Sequence, residues 1–240
     1  MASDPLRDHQ RIAFEALKIV KKICEENNIT YFLLAGSTLG AVRHGGFIPW
    51  DDDIDVGMKL EDIVAFHRVA ENYDFGKFKL SCCDSNERHP RFFSKIIYQG
   101  RHCVDIFPIV KTSNNPLQRR YQWLMKKFWF RIYWIRNSHG NPKSKFKKFL
   151  QPAIEYLIDY IPREWIIKQA RRNEARFENH EGNFYMNINS IYTFEQELIK
   201  QEWIESLSEQ KFEGEMFPIF SNAHAYLSHL YGDYMTPPPL

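Results

Sequence analysis

Four carboxylates crowd five positions, Asp51-Asp52-Asp53-Ile54-Asp55, a short distance after the dipeptide Gly36-Ser37. On a strand, side chains at i and i+2 point the same way, so Asp53 and Asp55 would stand side by side. Like charges so close repel unless a hard cation lies between them, and Mg²⁺ is the usual choice, with Mn²⁺ as its substitute. Asp51 shares that face if the strand reaches back to it, whereas Asp52 points away. A Gly-Ser turn opening a helix lets backbone N–H groups approach a phosphate closely. A third carboxylate, Asp105, lies in the alternating stretch Cys103-Val104-Asp105-Ile106-Phe107. These residues point to metal-dependent phosphoryl chemistry; the plain alternative is a solvated acidic turn.

The surrounding pattern supplies elements able to position them. Asp4-Pro5 is a helix start, and Ile12, Ala16, Ile19, Val20 and Ile23 recur at helical spacing, which predicts a helix over 5–27. A strand at 31–35 leads through the Gly-Ser turn into a helix at 38–43, then a Gly/Pro-rich loop. Residues 53–58 alternate as a strand, 60–72 read as a helix, and 77–82, 92–98 and 101–107 as strands, with Gln99-Gly100 as a hairpin turn. After Pro116 the pattern is helical over 117–137, 143–160 and 163–179, divided by Pro142 and Pro162, with short strands and a last helix near 223–231. Strand, Gly-Ser, helix, then a strand bearing Asp-x-Asp is the layout of a nucleotidyltransferase-like (polymerase-β-type) α+β fold with a mixed sheet. We expect a catalytic core over 1–112 and a mainly helical, basic part over 113–240 that packs back on it.

The 240 residues and 28.7 kDa suit one compact domain or a core domain with a satellite, and 44% hydrophobic against 26% charged residues is the balance of a folded protein. No apolar run approaches the ~20 residues of a membrane span. The first residues lack the pattern of a signal peptide. Cys24, Cys82, Cys83 and Cys103 show no C-x-x-C spacing, so reduced thiols and a cytoplasmic location are expected. His89 and His102 lie near cysteines, but no spacing suits tetrahedral zinc.

Net charge is only +2, yet between Asp105 and Glu155 there is no acidic residue and there are eleven Lys and Arg. Such a split suits an anionic partner or a solvated helix face. Over 117–137 the cations alternate with Trp123, Phe128, Trp129, Tyr133 and Trp134. One reading is an interfacial helix on anionic lipid, at the inner face of the membrane; the other is an aromatic stripe packed on the core, favoured because apolar positions surround much of the helix. A nucleic-acid binder is a rival class, disfavoured because the carboxylate set would repel phosphate without a metal. Lys95, on a strand beside that of Asp105, could face a phosphate, as could Arg43, with His44 and Arg91 as weaker candidates. At a helix end, Arg43 and His44 are also favoured by the dipole alone.

The string AGSTLGAVRHGGFIPWDDDIDVGM at 35–58, VDIFP at 104–108 and LYGDYMTPP at 230–238 together resemble the signature of the LicD family. The resemblance implies transfer of an alcohol phosphate from a CDP-linked donor, such as CDP-choline, to a glycan hydroxyl, free or lipid-linked, with release of CMP. It implies that Asp53, Asp55 and Asp105 are catalytic and bind metal, while Gly36, Ser37, Lys95 and Arg43 contact donor phosphate. Asp105 either completes the metal site or takes the hydroxyl proton. His44, Trp50, Asp51, Asp52, Arg91, Tyr231 and Asp233 are candidates for substrate contact; Trp50, with Tyr231 and Tyr234, would suit a quaternary ammonium. No nucleic acid partner is implied. A nucleotidyltransferase releasing pyrophosphate shares the core motif and is the enzymatic rival.

Overall fold

A computed structural model describes residues 4–82, 92–138 and 156–236. Helix α1 (Pro5–Glu26) begins where the Asp4 carboxylate accepts the Leu6 amide at 3.0 Å, and it buries Ala13, Ala16, Leu17, Val20 and Ile23. The short strand β1 (Phe32–Leu33) is followed by α2 (Ala35–His44), β2 (Ile54–Lys59), α3 (Leu60–Ala70), β3 (Lys79–Ser81), β4 (Ser94–Tyr98) and β5 (Arg101–Thr112). Gln99 and Gly100 both take positive φ between β4 and β5, as the expected hairpin turn requires. Then come α4 (Pro116–Ser138), α5 (Arg163–Glu174), β6 (Phe184–Asn187), β7 (Leu198–Lys200), α6 (Gln201–Ile204), the hairpin β8 (Leu207–Phe212) and β9 (Glu215–Phe220), and α7 (Ala223–Tyr231).

The sheet runs β1-β2-β5-β4-β3, with β6 also on β5 and β7 on β6. β2 and β5 are parallel and the other pairs antiparallel, so the mixed α+β nucleotidyltransferase-like architecture is observed. Along β2, Ile54, Val56 and Met58 enter the core formed with α1 and α3, together with Val104 and Ile106 of β5. Asp55 therefore faces the other side of the sheet. There Phe93, Phe107 and Ile109 pack with Trp203, Phe220 and Tyr226.

Several boundaries differ from expectation. The strand at 31–35 shrinks to two residues, because the Leu34 carbonyl accepts the Ser37 and Thr38 amides and starts α2 early. Gly36 and Ser37 thus lie in the first turn of a helix rather than in a turn before it. β5 runs five residues past 107, through Pro108. This proline falls between Ile106, the last residue paired with β4, and Ile109, the first paired with β6, where a missing N–H does least harm. The helix at 163–179 ends at Glu174 and tightens to a 3₁₀ turn over Ala175–Phe177. Of the helix over 143–160, only its end is described, helical over 156–159; Cys83, His89, Arg91 and Pro142 lie outside the described residues. Past residue 112 the described residues contribute four strands as well as helices: β6 and β7 widen the sheet, and Phe212 and Phe217 of the hairpin join the core around α1. No described helix is long and apolar enough to cross a membrane.

Candidate active site

The carboxylates converge because of register. Asp55 on β2 lies directly opposite Asp105 on the parallel strand β5, and Asp105 lies opposite Lys95 on β4. Asp53, just before β2, completes a group in which one oxygen from each of Asp53, Asp55 and Asp105 falls within 4.8 Å of the others. Asp51 and Asp52 form a second such group with Asp53. All donors are carboxylate oxygens, the set that suits a hard divalent cation.

The electrostatics match that use. Burial, then the charges of Asp53 and Asp105, raise the Asp55 carboxyl well above its ordinary value. Asp53 is pushed up to about 6 by burial and by Asp105. Burial also raises Asp51. A site that resists losing its protons is short of positive charge. Lys95 supplies some of it: its Nζ lies 2.5 Å from both Asp105 oxygens, and both residues are buried. The same Nζ is 3.0 Å from His102 Nδ1 and 4.8 Å from the centre of the Phe93 ring.

The Gly-Ser pair shapes this centre from α2. Ser37 Oγ accepts the Asp55 amide at 2.8 Å, and a methyl group on Gly36 would stand 3.1 Å from Asp51 Oδ2. At the helix entry Ala35 has φ +45°, a left-handed geometry rare outside glycine, and its amide is bonded to the Tyr226 hydroxyl at 3.1 Å. Thr38 Oγ1 donates to the Leu33 carbonyl at 2.7 Å.

Other candidates divide. Trp50 is exposed beside the cluster, and Asp52 lies 3.9 Å from Arg101. Arg43 donates to the Tyr234 carbonyl at 2.6 Å and to His44 at 2.9 Å, so it ties α2 to the C-terminal motif. Burial and the neighbouring Arg43 lower the His44 pKa. Tyr231 meets the Tyr192 hydroxyl at 3.4 Å, and Tyr234 meets His224 at 3.0 Å. Asp233 accepts from Thr236 at 2.8 Å, a local turn contact.

Four contributors escaped the sequence. Gln10, buried on α1, donates to the Asp51 carbonyl at 2.8 Å. His9 Nε2 lies 2.7 Å from the carbonyl oxygen of His102, and His102 and Tyr226 contact Lys95 and Ala35 as above. None had a local signal beyond the polar Gln10 on an apolar helix face. The acid loop is clasped from a distance as well: Glu213, in the β8–β9 turn, pairs with Arg7 at 2.6 Å, donates its amide to Gly45 and accepts that of Phe47. Beside Phe93 opens a cavity of about 280 Å³ that Phe92, Lys126, Lys127, Phe130 and Tyr192 also line.

Comparison with known proteins identifies the family. Across 98% of its length the chain is 25% identical to the lipopolysaccharide cholinephosphotransferase LicD of Haemophilus influenzae, 92% of which is covered. A stretch of 49 residues, 20% of this chain and 10% of the relative, is 47% identical to the human ribitol 5-phosphate transferase FKRP. Residues 28–148, which include Asp53, Asp55, Lys95 and Asp105, match the family described as LicD/FKTN/FKRP, nucleotidyltransferase domain. The chain belongs to that family.

Proposed function

We propose that this protein transfers an alcohol phosphate, phosphocholine first among them, from a CDP-linked donor to a sugar hydroxyl of a cell-surface glycan, releasing CMP. The observation that carries the reading is the registered set Asp55–Asp105–Lys95 with Asp53 at its edge, in a chain similar over nearly its whole length to a cholinephosphotransferase. Asp53, Asp55 and Asp105 are the residues to hold Mg²⁺ or Mn²⁺. A cation there would neutralise charge on the donor diphosphate and on the departing CMP oxygen. Gly36 and Ser37 lie in the first turn of α2, the helix end that favours anions, with the Ser37 amide already bonded to the Leu34 carbonyl. Lys95 keeps Asp105 in place and adds a positive charge beside the cluster.

The acceptor hydroxyl oxygen forms a bond to the distal phosphorus, and the bond from that phosphorus to the CMP oxygen breaks. CMP leaves with the electron pair, and the hydroxyl proton passes to a carboxylate oxygen of the cluster. Catalysis of this kind rests mostly on positioning and charge neutralisation. The aromatic cavity beside Phe93 suits the organic parts of the donor.

The test is CMP release from purified protein with Mg²⁺, a glycan acceptor and each of CDP-choline, CDP-ethanolamine, CDP-glycerol and CDP-ribitol, with Asp53→Asn as blank. Selective, Asp53-dependent CMP from one donor supports the reading and names the transferred group. Pyrophosphate release from a nucleoside triphosphate, with no CMP from any of the four, overturns it in favour of nucleotidyl transfer. Added Mg²⁺ should also raise the melting temperature of the wild type but not that of Asp53→Asn/Asp55→Asn.

A further inference from the structure

Helix α4 has two unlike faces. Its inner face is buried: Gln122 and Tyr133 have no exposed surface, Tyr133 packs with Ile166, Ile167 and Ala170 around α5, and the Gln122 amide donates to the Asn173 carbonyl at 3.2 Å. The outer face carries Leu117, 77% exposed, and Tyr121, Leu124 and Phe128, each 47% exposed. Their spacing of i, i+4, i+7 and i+11 puts all four on one line along the helix. Arg120, Lys127 and Arg131, also exposed, run alongside at i, i+7 and i+11. α4 contains no Asp or Glu, and none of these three cations makes an ion pair among the described residues.

A water-facing helix normally interleaves both signs of charge at i, i+4 and keeps large apolar side chains apart. An unbroken apolar row flanked by unbalanced cations is the surface that a lipid headgroup layer satisfies on both counts. Leucine and aromatic side chains enter the acyl boundary, and the cations meet the phosphates. A soluble polyanion would use the cations and leave the row in water; a second copy of this chain would bring like charges together. We propose that the outer face of α4 docks this protein on the surface of an anionic phospholipid bilayer. Docking is peripheral, since the inner half of the helix stays in the protein core. It stands independently of the reaction assigned to the carboxylate site.

The full chain is sedimented with vesicles of phosphatidylcholine mixed with phosphatidylglycerol, and with pure phosphatidylcholine, at low and high salt. Partition into the mixed vesicles should exceed that into the neutral ones by about tenfold or more and fall with salt. Leu124→Glu/Phe128→Glu and, separately, Arg120→Glu/Arg131→Glu should each reduce it by about tenfold, with the circular dichroism spectrum retained because all four side chains are exposed. Equal or absent partition into both vesicle types overturns the proposal. So does vesicle binding that survives both variants. Loss of binding to soluble heparin in the charge variant, without vesicle binding, reassigns the face to a polyanion. A dimer in light scattering that Leu124→Glu/Phe128→Glu dissolves, with no vesicle binding, reassigns it to self-association.

Discussion

Lys95 and Asp105 face each other across neighbouring antiparallel strands, with the ammonium nitrogen 2.5 Å from each carboxylate oxygen. Both are buried, so neither charge has water to fall back on. A pair of this kind is weak evidence for net stability but costly to break from one side. Asp105→Asn and Lys95→Met should each destabilise the protein by about 3–5 kcal/mol. The double variant should recover much of that loss. Denaturant unfolding in the presence of a chelator measures all three; single variants as stable as the wild type would show that the pair is not coupled.

Asp55 should behave in the opposite sense. Its folded-state carboxyl is raised well above the ordinary 3.8 by burial and by Asp53 and Asp105. The associated stability is fully present below that ordinary value and is lost as pH rises through the raised one. Asp55→Asn removes the titration, so without divalent cations it should melt above the wild type at neutral pH. A gain of about 2–4 °C would correspond to ~1 kcal/mol in a chain of this size. The difference should close as pH falls toward 4, while CMP release drops by about 10²-fold or more. A variant less stable than wild type at neutral pH would contradict the crowded-charge picture.

Gly36 and Gly40 occupy the same helix but differ in what an added methyl meets. At Gly36 it meets Asp51 Oδ2 at 3.1 Å, a side-chain end able to turn away; at Gly40 it runs into the Gly46 carbonyl oxygen, which is backbone. Gly36→Ala should therefore leave stability within about 1 kcal/mol. Its activity should fall about tenfold, because the turning carboxylate borders the site. Gly40→Ala should cost about 1–3 kcal/mol, because backbone has to move. Paired unfolding and turnover measurements separate the two, and a reversed order would refute the assignment.

Glu197 is buried next to Ser190 and Lys126, and burial pushes its carboxyl up from 4.5 to about 7. Its contribution to stability is complete below pH 4.5 and disappears as pH rises through about 7. Relative to the wild type, Glu197→Gln should gain stability across that window, up to roughly 3 kcal/mol at ~1.4 kcal/mol per pH unit. Unfolding at a series of pH values gives the difference directly; a flat difference would mean that Glu197 is ionised in the folded protein.

The Asp53–Asp55 spacing was legible because a strand's two-residue period is written into Ile54, Val56 and Met58, and the alternation around Asp105 marked it in the same way. Lys95 was legible as a cation on the next strand, but its hold on both Asp105 oxygens depends on register between segments that the sequence does not align. Gly-Ser is a turn signal and places the start of α2 too late; only the tertiary bond that the amide of left-handed Ala35 donates to the Tyr226 hydroxyl shows how the chain enters the helix there. The strand expected over 101–107 runs on through Pro108, and the changeover from β4 to β6 explains why the proline is tolerated there. The amphipathic split of α4 was hidden by aromatics on nearly every side, which made its inner and outer faces look alike.

The clasp of Arg7 and Gly45–Phe47 by Glu213 has a consequence for biosynthesis. Helix α1, the acid loop and the strands bearing Lys95 and Asp105 all leave the ribosome long before the hairpin that fastens the loop and the helix that supplies Tyr226. A nascent chain therefore holds its crowded carboxylates without their clamp until translation passes the hairpin. The fastening of the acid loop and of the α2 entry thus waits for segments beyond residue 206.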